Sequence, residues 1–172
     1  TLNALRAATH LRRLSKLTLS WNPLGADGMA ALALLMQDAS HIGRTLVELW
    51  VSQCNIGANG GAAVLANALQ HSCFSALQRL YLHANQFSAA DLRLLVPAVC
   101  AAPQLSSLRT LRLAPREDIA GLREGELEEL EAALRAAPHL PRLAVCCCLR
   151  DHDDCGPYPY AAAEGAVVQQ QQ

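Results

Sequence analysis

Two rhythms of apolar residues alternate along the chain. The first is a nine-residue string with an apolar residue at its first, fourth and sixth positions and Asn or Cys at its ninth. It occurs as Leu14, Leu17, Leu19, Asn22, as Leu46, Leu49, Val51, Cys54, and as Leu77, Leu80, Leu82, Asn85. A fourth copy, Leu108, Leu111, Leu113, has Arg116 at the ninth position, and a fifth reads Leu140, Leu143, Val145, Cys148. Positions four and six lie on one face of a strand, so each string predicts a short strand with its Leu side buried. The starts, at 14, 46, 77, 108 and 140, are 31 or 32 residues apart. The second rhythm has spacings of three and four and predicts helices over 25–37 (Met29, Leu32, Leu35, Met36), 57–70 (Val64, Leu65, Ala68, Leu69), 89–101 (Leu92, Leu95, Val96, Val99) and 124–137 (Leu127, Leu130, Leu134). Each unit is therefore strand, turn, helix. Neither element can bury its apolar side without neighbouring units, which predicts a stack of repeats.

The ninth residue has a mechanical role in this scheme. Where the chain leaves a strand, backbone groups lose their ladder partners, and a buried Asn stacked on its equivalents supplies both donor and acceptor. Asn22, Cys54, Asn85 and Cys148 are read as these structural positions. Arg116 does not suit the site, and with Pro115, Glu117 and Asp118 beside it predicts an irregular bulge in the fourth unit. The extra length between helix end and next strand is expected as connecting stretches, such as 38–45 and 101–107.

Residues 14–28 (LSKLTLSWNPLGADG) and 46–61 (LVELWVSQCNIGANGG) resemble leucine-rich repeats of the ribonuclease-inhibitor type, and the resemblance covers roughly residues 1–150. It implies an α/β solenoid, a horseshoe arc of four to five repeats with a parallel sheet inside and helices outside. It also implies a binding scaffold for another protein rather than an enzyme. Related arcs bind ribonucleases, GTPases and cytoskeletal or ciliary assemblies, and the alternative that the resemblance offers is a GTPase-activating protein of the Ran-activating kind.

In such a curved sheet the residues between the Leu positions project onto the inner surface, where no helix covers them. The fifth positions are Thr18, Trp50, Tyr81, Arg112 and Ala144, and the third positions are Lys16, Glu48, Arg79, Thr110 and Arg142. Trp21, His83 and Arg109 are assigned to the same face. Aromatic and Arg side chains dominate binding hot spots. The partner-binding set is thus Trp21, Trp50, Arg79, Tyr81, His83, Arg109 and Arg112, with Trp50 and Arg112 outside the Leu core. The partner expected is a protein segment that is acidic with an apolar anchor.

Composition narrows the classes further. Hydrophobic residues make up 52% of the 172 and charged residues 17%, which argues for a packed chain, and the 4% aromatic content suits many copies of a small Leu/Ala unit. The net charge of -1 offers no overall field for nucleic acid or an acidic membrane surface. No stretch has the apolar length of a transmembrane helix, and no signal peptide opens at Thr1. The start without Met, in what reads as a helix (Leu2, Leu5), is taken as the opening of a piece of a longer protein. The seven cysteines are odd in number and unevenly placed, unlike a secreted disulfide framework, so a reducing, intracellular and cytoplasmic setting is expected. Residues 151–172, rich in Pro, Ala and Gln, read as a low-complexity tail.

Chemistry finds little purchase in this sequence. Cys146, Cys147, Cys148, His152 and Cys155 are potential zinc ligands, but in a strand Cys147 points away from its neighbours. His83 alone of the six histidines lies on a strand face, and it has no evident Ser or Cys partner for a catalytic dyad. The glycines at 25, 28, 57, 60 and 61 have no following Lys-Ser/Thr and read as turn residues rather than a phosphate loop. Glu124, Glu126, Glu128, Glu129 and Glu131 read as a solvated outer helix face. No cofactor, metal or small-molecule substrate is expected.

Overall fold

A computed structural model describes residues 13–37, 41–71, 73–113, 121–123 and 125–144. Four strands, β1 (Lys16–Thr18), β2 (Glu48–Trp50), β3 (Arg79–Tyr81) and β4 (Thr110–Arg112), form one parallel sheet in chain order. The register pairs Leu17 with Leu49, Leu49 with Leu80 and Leu80 with Leu111, so every unit repeats the same frame as the sequence rhythm requires. Helices α1 (Gly25–Gln37), α2 (His41–Thr45), α3 (Gly61–Gln70), α4 (Ala89–Cys100) and α5 (Glu126–Ala136) alternate with the strands. Their apolar stripes close over Leu49, Leu80 and Leu111, which are at most 1% exposed. Each of these leucines contributes about 1.5–3 kcal/mol by burial.

Local chemistry explains where the helices start. In α4, Ser88 Oγ accepts from Asp91 N at 3.3 Å while Asp91 Oδ2 accepts from Ser88 N at 2.8 Å, a reciprocal capping box that satisfies two otherwise orphaned donors. In α3 the entry is tight instead. A 3-10 turn over Ala58–Gly60 leads in, and Gly57 lies so close to the next unit that a Cβ there would sit 2.4 Å from Gln86 O.

Three expectations need correction. Helix α2 occupies a stretch read as connector; Ile42 draws it down onto the core, where it is 4% exposed. The fifth string starts at Leu143 rather than Leu140. In every earlier unit the second residue donates to its counterpart, as in Val47 N to Ser15 O, Gln78 N to Val47 O and Arg109 N to Gln78 O. The donor to Arg109 O is Ala144, at 2.9 Å, so Ala144 takes the second position and neither it nor Arg142 belongs to the inner ladders. The acidic run of α5 is also not uniformly solvated, since Glu126 and Glu131 are each 5% exposed. Glu126 is gripped by Arg93 of α4 through both oxygens, with Arg93 Nη2 to Oε2 at 2.8 Å, and accepts from Arg123 N at 2.9 Å. These bonds hold its carboxyl down at about 2, with the Arg93 hydrogen bond the largest cause. Residues 1–12, Arg116 with its neighbours, Cys146, Cys147, Cys148 and the 151–172 segment lie outside the described residues.

Among the described residues, no helix is long and apolar enough to cross a membrane.

Candidate functional site

Strand alternation leaves the third and fifth residue of each unit on the sheet face opposite the buried leucines. The register aligns them in two rows: Lys16, Glu48, Arg79, Thr110 and Thr18, Trp50, Tyr81, Arg112. Neighbouring strands are about 4.8 Å apart, so side chains in a row touch.

Glu48 organises the first row. Its carboxylate takes a hydrogen bond from Trp50 Nε1 at 3.1 Å, a bond and ion pair from Arg79, and an ion pair from Lys16 at 3.5 Å. Burial raises its pKa, but the Trp50 indole, the Arg79 guanidinium and the Lys16 charge together hold it below the ordinary carboxylate value.

The second row is an aromatic stack. Trp50 and Tyr81 lie with centroids 3.8 Å apart and planes 21° from parallel, and Lys16 Nζ sits 5.2 Å from the Trp50 ring centre. Trp50 is consequently only 4% exposed. The expectation that its ring is open to a partner is wrong: it lies on the predicted face, yet its neighbours cover it. Tyr81 and Arg112 are half-buried and line the surface. Burial raises the Tyr81 pKa, outweighing the pull of Arg79 and Arg112, so the phenol stays an O–H donor at neutral pH.

A third row continues from the strand ends. Ser52 N donates to Ser20 Oγ at 3.1 Å, and Ser52 Oγ lies 3.0 Å from His83 Nδ1, with Tyr81 edge-on to the imidazole at 6.4 Å. His83 therefore does have a Ser partner, contrary to the sequence reading. Ser52 is 4% exposed, which keeps its oxygen from a substrate and makes the pair a structural rung.

Trp21 and Arg109 stand at the margins rather than on the rows. Trp21, 61% exposed, has φ 66° in the turn after β1, and its counterparts Gln53 and Ala84 share that left-handed conformation. Arg109 precedes β4, is exposed, and falls out of alternation with Thr110 and Arg112.

Beneath the rows, the ninth-position residues tie unit to unit. Asn85, fully buried, donates through Nδ2 to Val51 O at 2.6 Å and Leu82 O at 2.7 Å, and accepts at Oδ1 from Cys54 N at 2.7 Å and Ile56 N at 3.4 Å. Cys54 repeats the donor half, its thiol reaching Leu19 O at 3.2 Å and Ser52 O at 3.3 Å. Asn22 was expected to be buried and is exposed. Its Nδ2 bonds Leu19 O and Ser20 O within its own turn.

Cys54, Cys73 and Cys100 are free thiols. Among the described residues, no group of three His, Cys, Asp or Glu side chains is placed to hold a metal ion.

Residues 8–33 and 44–65 match a family model described as Leucine Rich repeat. These segments contain β1 with most of α1, and β2 with the start of α3. Two segments of the chain are thus similar to leucine-rich repeats, and the two units that follow repeat the same strand frame. Such repeats generally form protein-interaction modules and are typically non-enzymatic. No curated protein matches the chain.

Proposed function

We propose that this protein is a scaffold that binds another protein on the open sheet face, the inner side of a horseshoe arc of the ribonuclease-inhibitor type. The arc extends over residues 1–150, with 151–172 as a tail. The observation that carries the reading is the pre-set state of the two rows. Glu48 fixes Arg79, Lys16 and Trp50, and the stack fixes Tyr81, so a partner meets side chains that have already lost their rotamer freedom. Each immobilised long side chain otherwise costs about 0.5–1.5 kcal/mol on binding. With Trp50 covered, the contact surface is Tyr81, Arg79, Arg112 and His83, and Arg109 and Trp21 extend it at opposite margins.

The partner is an acidic segment with an apolar anchor: guanidinium groups pair with its carboxylates and the Tyr81 edge takes the anchor. The setting is intracellular and cytoplasmic, in a larger protein or assembly, cytoskeletal or ciliary ones included.

The test is the affinity of a purified partner for two variants whose melting is measured in parallel. Arg112→Glu should weaken binding by at least about 1–2 kcal/mol at unchanged stability. Glu128→Lys, on the exposed side of α5, should leave binding unchanged. Equal losses, or loss from Glu128→Lys alone, would move the site to the helices.

A further inference from the structure

The entrance to α3 is clamped at both ends and open in its middle. A Cβ on Gly57 would sit 2.4 Å from Gln86 O, and one on Gly61 would sit 2.2 Å from Ile56 O, so both residues are pressed against backbone. Between them, Gly60 is exposed at φ 81°, with nothing within 4 Å of where a Cβ would stand. Asn59, also exposed, is left-handed at φ 57° and ψ 31°, and its side chain holds no hydrogen bond among the described residues.

An Asn followed by Gly can react with its own backbone. The amide nitrogen of the next residue closes a five-membered ring on the side-chain carbonyl carbon, and Gly leaves that nitrogen uncrowded and its backbone free to turn. Asn59–Gly60 is the one such pair in the chain. Asn22 precedes Pro23, whose nitrogen has no proton to lose, and Asn3, Asn55, Asn67 and Asn85 precede residues with a Cβ. Asn85 is also buried and held by its hydrogen bonds. At ψ 31° the Gly60 nitrogen points away from the Asn59 carboxamide, so ring closure needs rotation about the Cα–C bond of Asn59. The open space around Gly60 lets that rotation happen within the turn.

We propose that Asn59 is a site of spontaneous deamidation through a cyclic imide with Gly60. The Gly60 nitrogen gives its proton to hydroxide and bonds to Asn59 Cγ, the Cγ–Nδ2 bond breaks, and ammonia leaves carrying a proton from water. Water then opens the imide at either carbonyl, leaving aspartate, or isoaspartate with the main chain running through Cβ and Cγ. Water is the only co-reactant, and nothing is oxidised or reduced. The two products act differently on α3. This helix begins without a side-chain cap and without an acidic residue in its first turn, so the aspartate supplies the negative charge that its N-terminal dipole favours. Isoaspartate adds one carbon to the main chain between Gly57 and Gly61, where the clamp leaves no room for it.

The full chain is held at 37 °C and pH 8 beside a synthetic peptide of residues 53–66, and both are sampled over time by isoaspartate-resolving mass spectrometry. Asn59 should convert at least tenfold faster than any other Asn of the chain, to both products, and more slowly at pH 7 because the nucleophile is the deprotonated amide. Gly60→Ala should slow the conversion at least tenfold, and Asn59→Gln should abolish it, with circular dichroism showing that each variant is folded. The aged chain should melt below Asn59→Asp, since it alone contains isoaspartate; equal melting would refute the clamp. Conversion first at another Asn, aspartate without isoaspartate, or intact Asn59 once the peptide has fully reacted would overturn the proposal.

Discussion

Replacing Asn85 by Ala removes four hydrogen bonds at one buried point. Val51 O and Leu82 O lose their donor, and Cys54 N and Ile56 N lose their acceptor. Asn85 is fully buried, and its bonds cross from one unit to the next as well as within its own. The Ile56 contact, at 3.4 Å, is long and adds little. The other three, at about 1–1.5 kcal/mol each, give about 3–4.5 kcal/mol. That is a large part of the 5–15 kcal/mol on which a domain usually depends. The same substitution at Asn22 should cost under about 1 kcal/mol, because water replaces bonds made on the surface. Asn85→Cys should fall between, since a thiol keeps one weak S–H donor, which at the equivalent Cys54 lies within reach of both Leu19 O and Ser52 O. Urea unfolding followed by circular dichroism reads all three as shifts in midpoint at constant slope. Equal midpoints for Asn85→Ala and Asn22→Ala would refute the argument that this residue bonds one repeat to the next.

Further outcomes follow from other contacts. Trp50→Ala should destabilise the fold by about 3–5 kcal/mol, measurable in the same urea experiment, because the ring is covered on the sheet face. Gly57→Ala should lower the melting temperature, since its Cβ would meet the backbone oxygen of Gln86. Glu126 has a folded pKa of about 2 against an ordinary 4.5, so its contribution is present above pH 4.5 and is lost as the pH falls toward 2. The melting temperature should decline over that range, and the decline should be shallower in Glu126→Gln.

The strand frame was legible in the sequence because period-two alternation and a constant repeat length fix register without further information. The pairs Lys16 with Glu48, Glu48 with Arg79 and Tyr81 with Arg112 follow from it directly. Helix α1 was legible from its spacing of three and four, and Met29, Leu32 and Leu35 are buried as that spacing requires. The burial of Trp50 was not, because alternation assigns a face while exposure depends on how far neighbouring rings and chains lean across it. The Ser52–His83 pair spans 31 residues and the Arg93–Glu126 pair 33, so neither leaves a local pattern. The signal available was that Ser52 and His83 occupy equivalent places one unit apart, a comparison that the Leu ladder invites but the polar positions equally reward; Arg93 and Glu126 do not share a place in their units and leave no such signal. The fifth unit slipped because a Leu three residues early, Leu140, mimics the ladder. The backbone bond of Ala144 decides the frame, and a sequence does not display it.

If the open sheet face, and not the helical side, meets the partner as proposed, hydrogen–deuterium exchange of the chain with and without bound partner should show slowed exchange confined to residues 48–53, 79–84 and 109–113, with α3 and α4 unchanged. Protection concentrated in α3 and α4, with the strands and the turns after them unaffected, would place the contact on the helices instead.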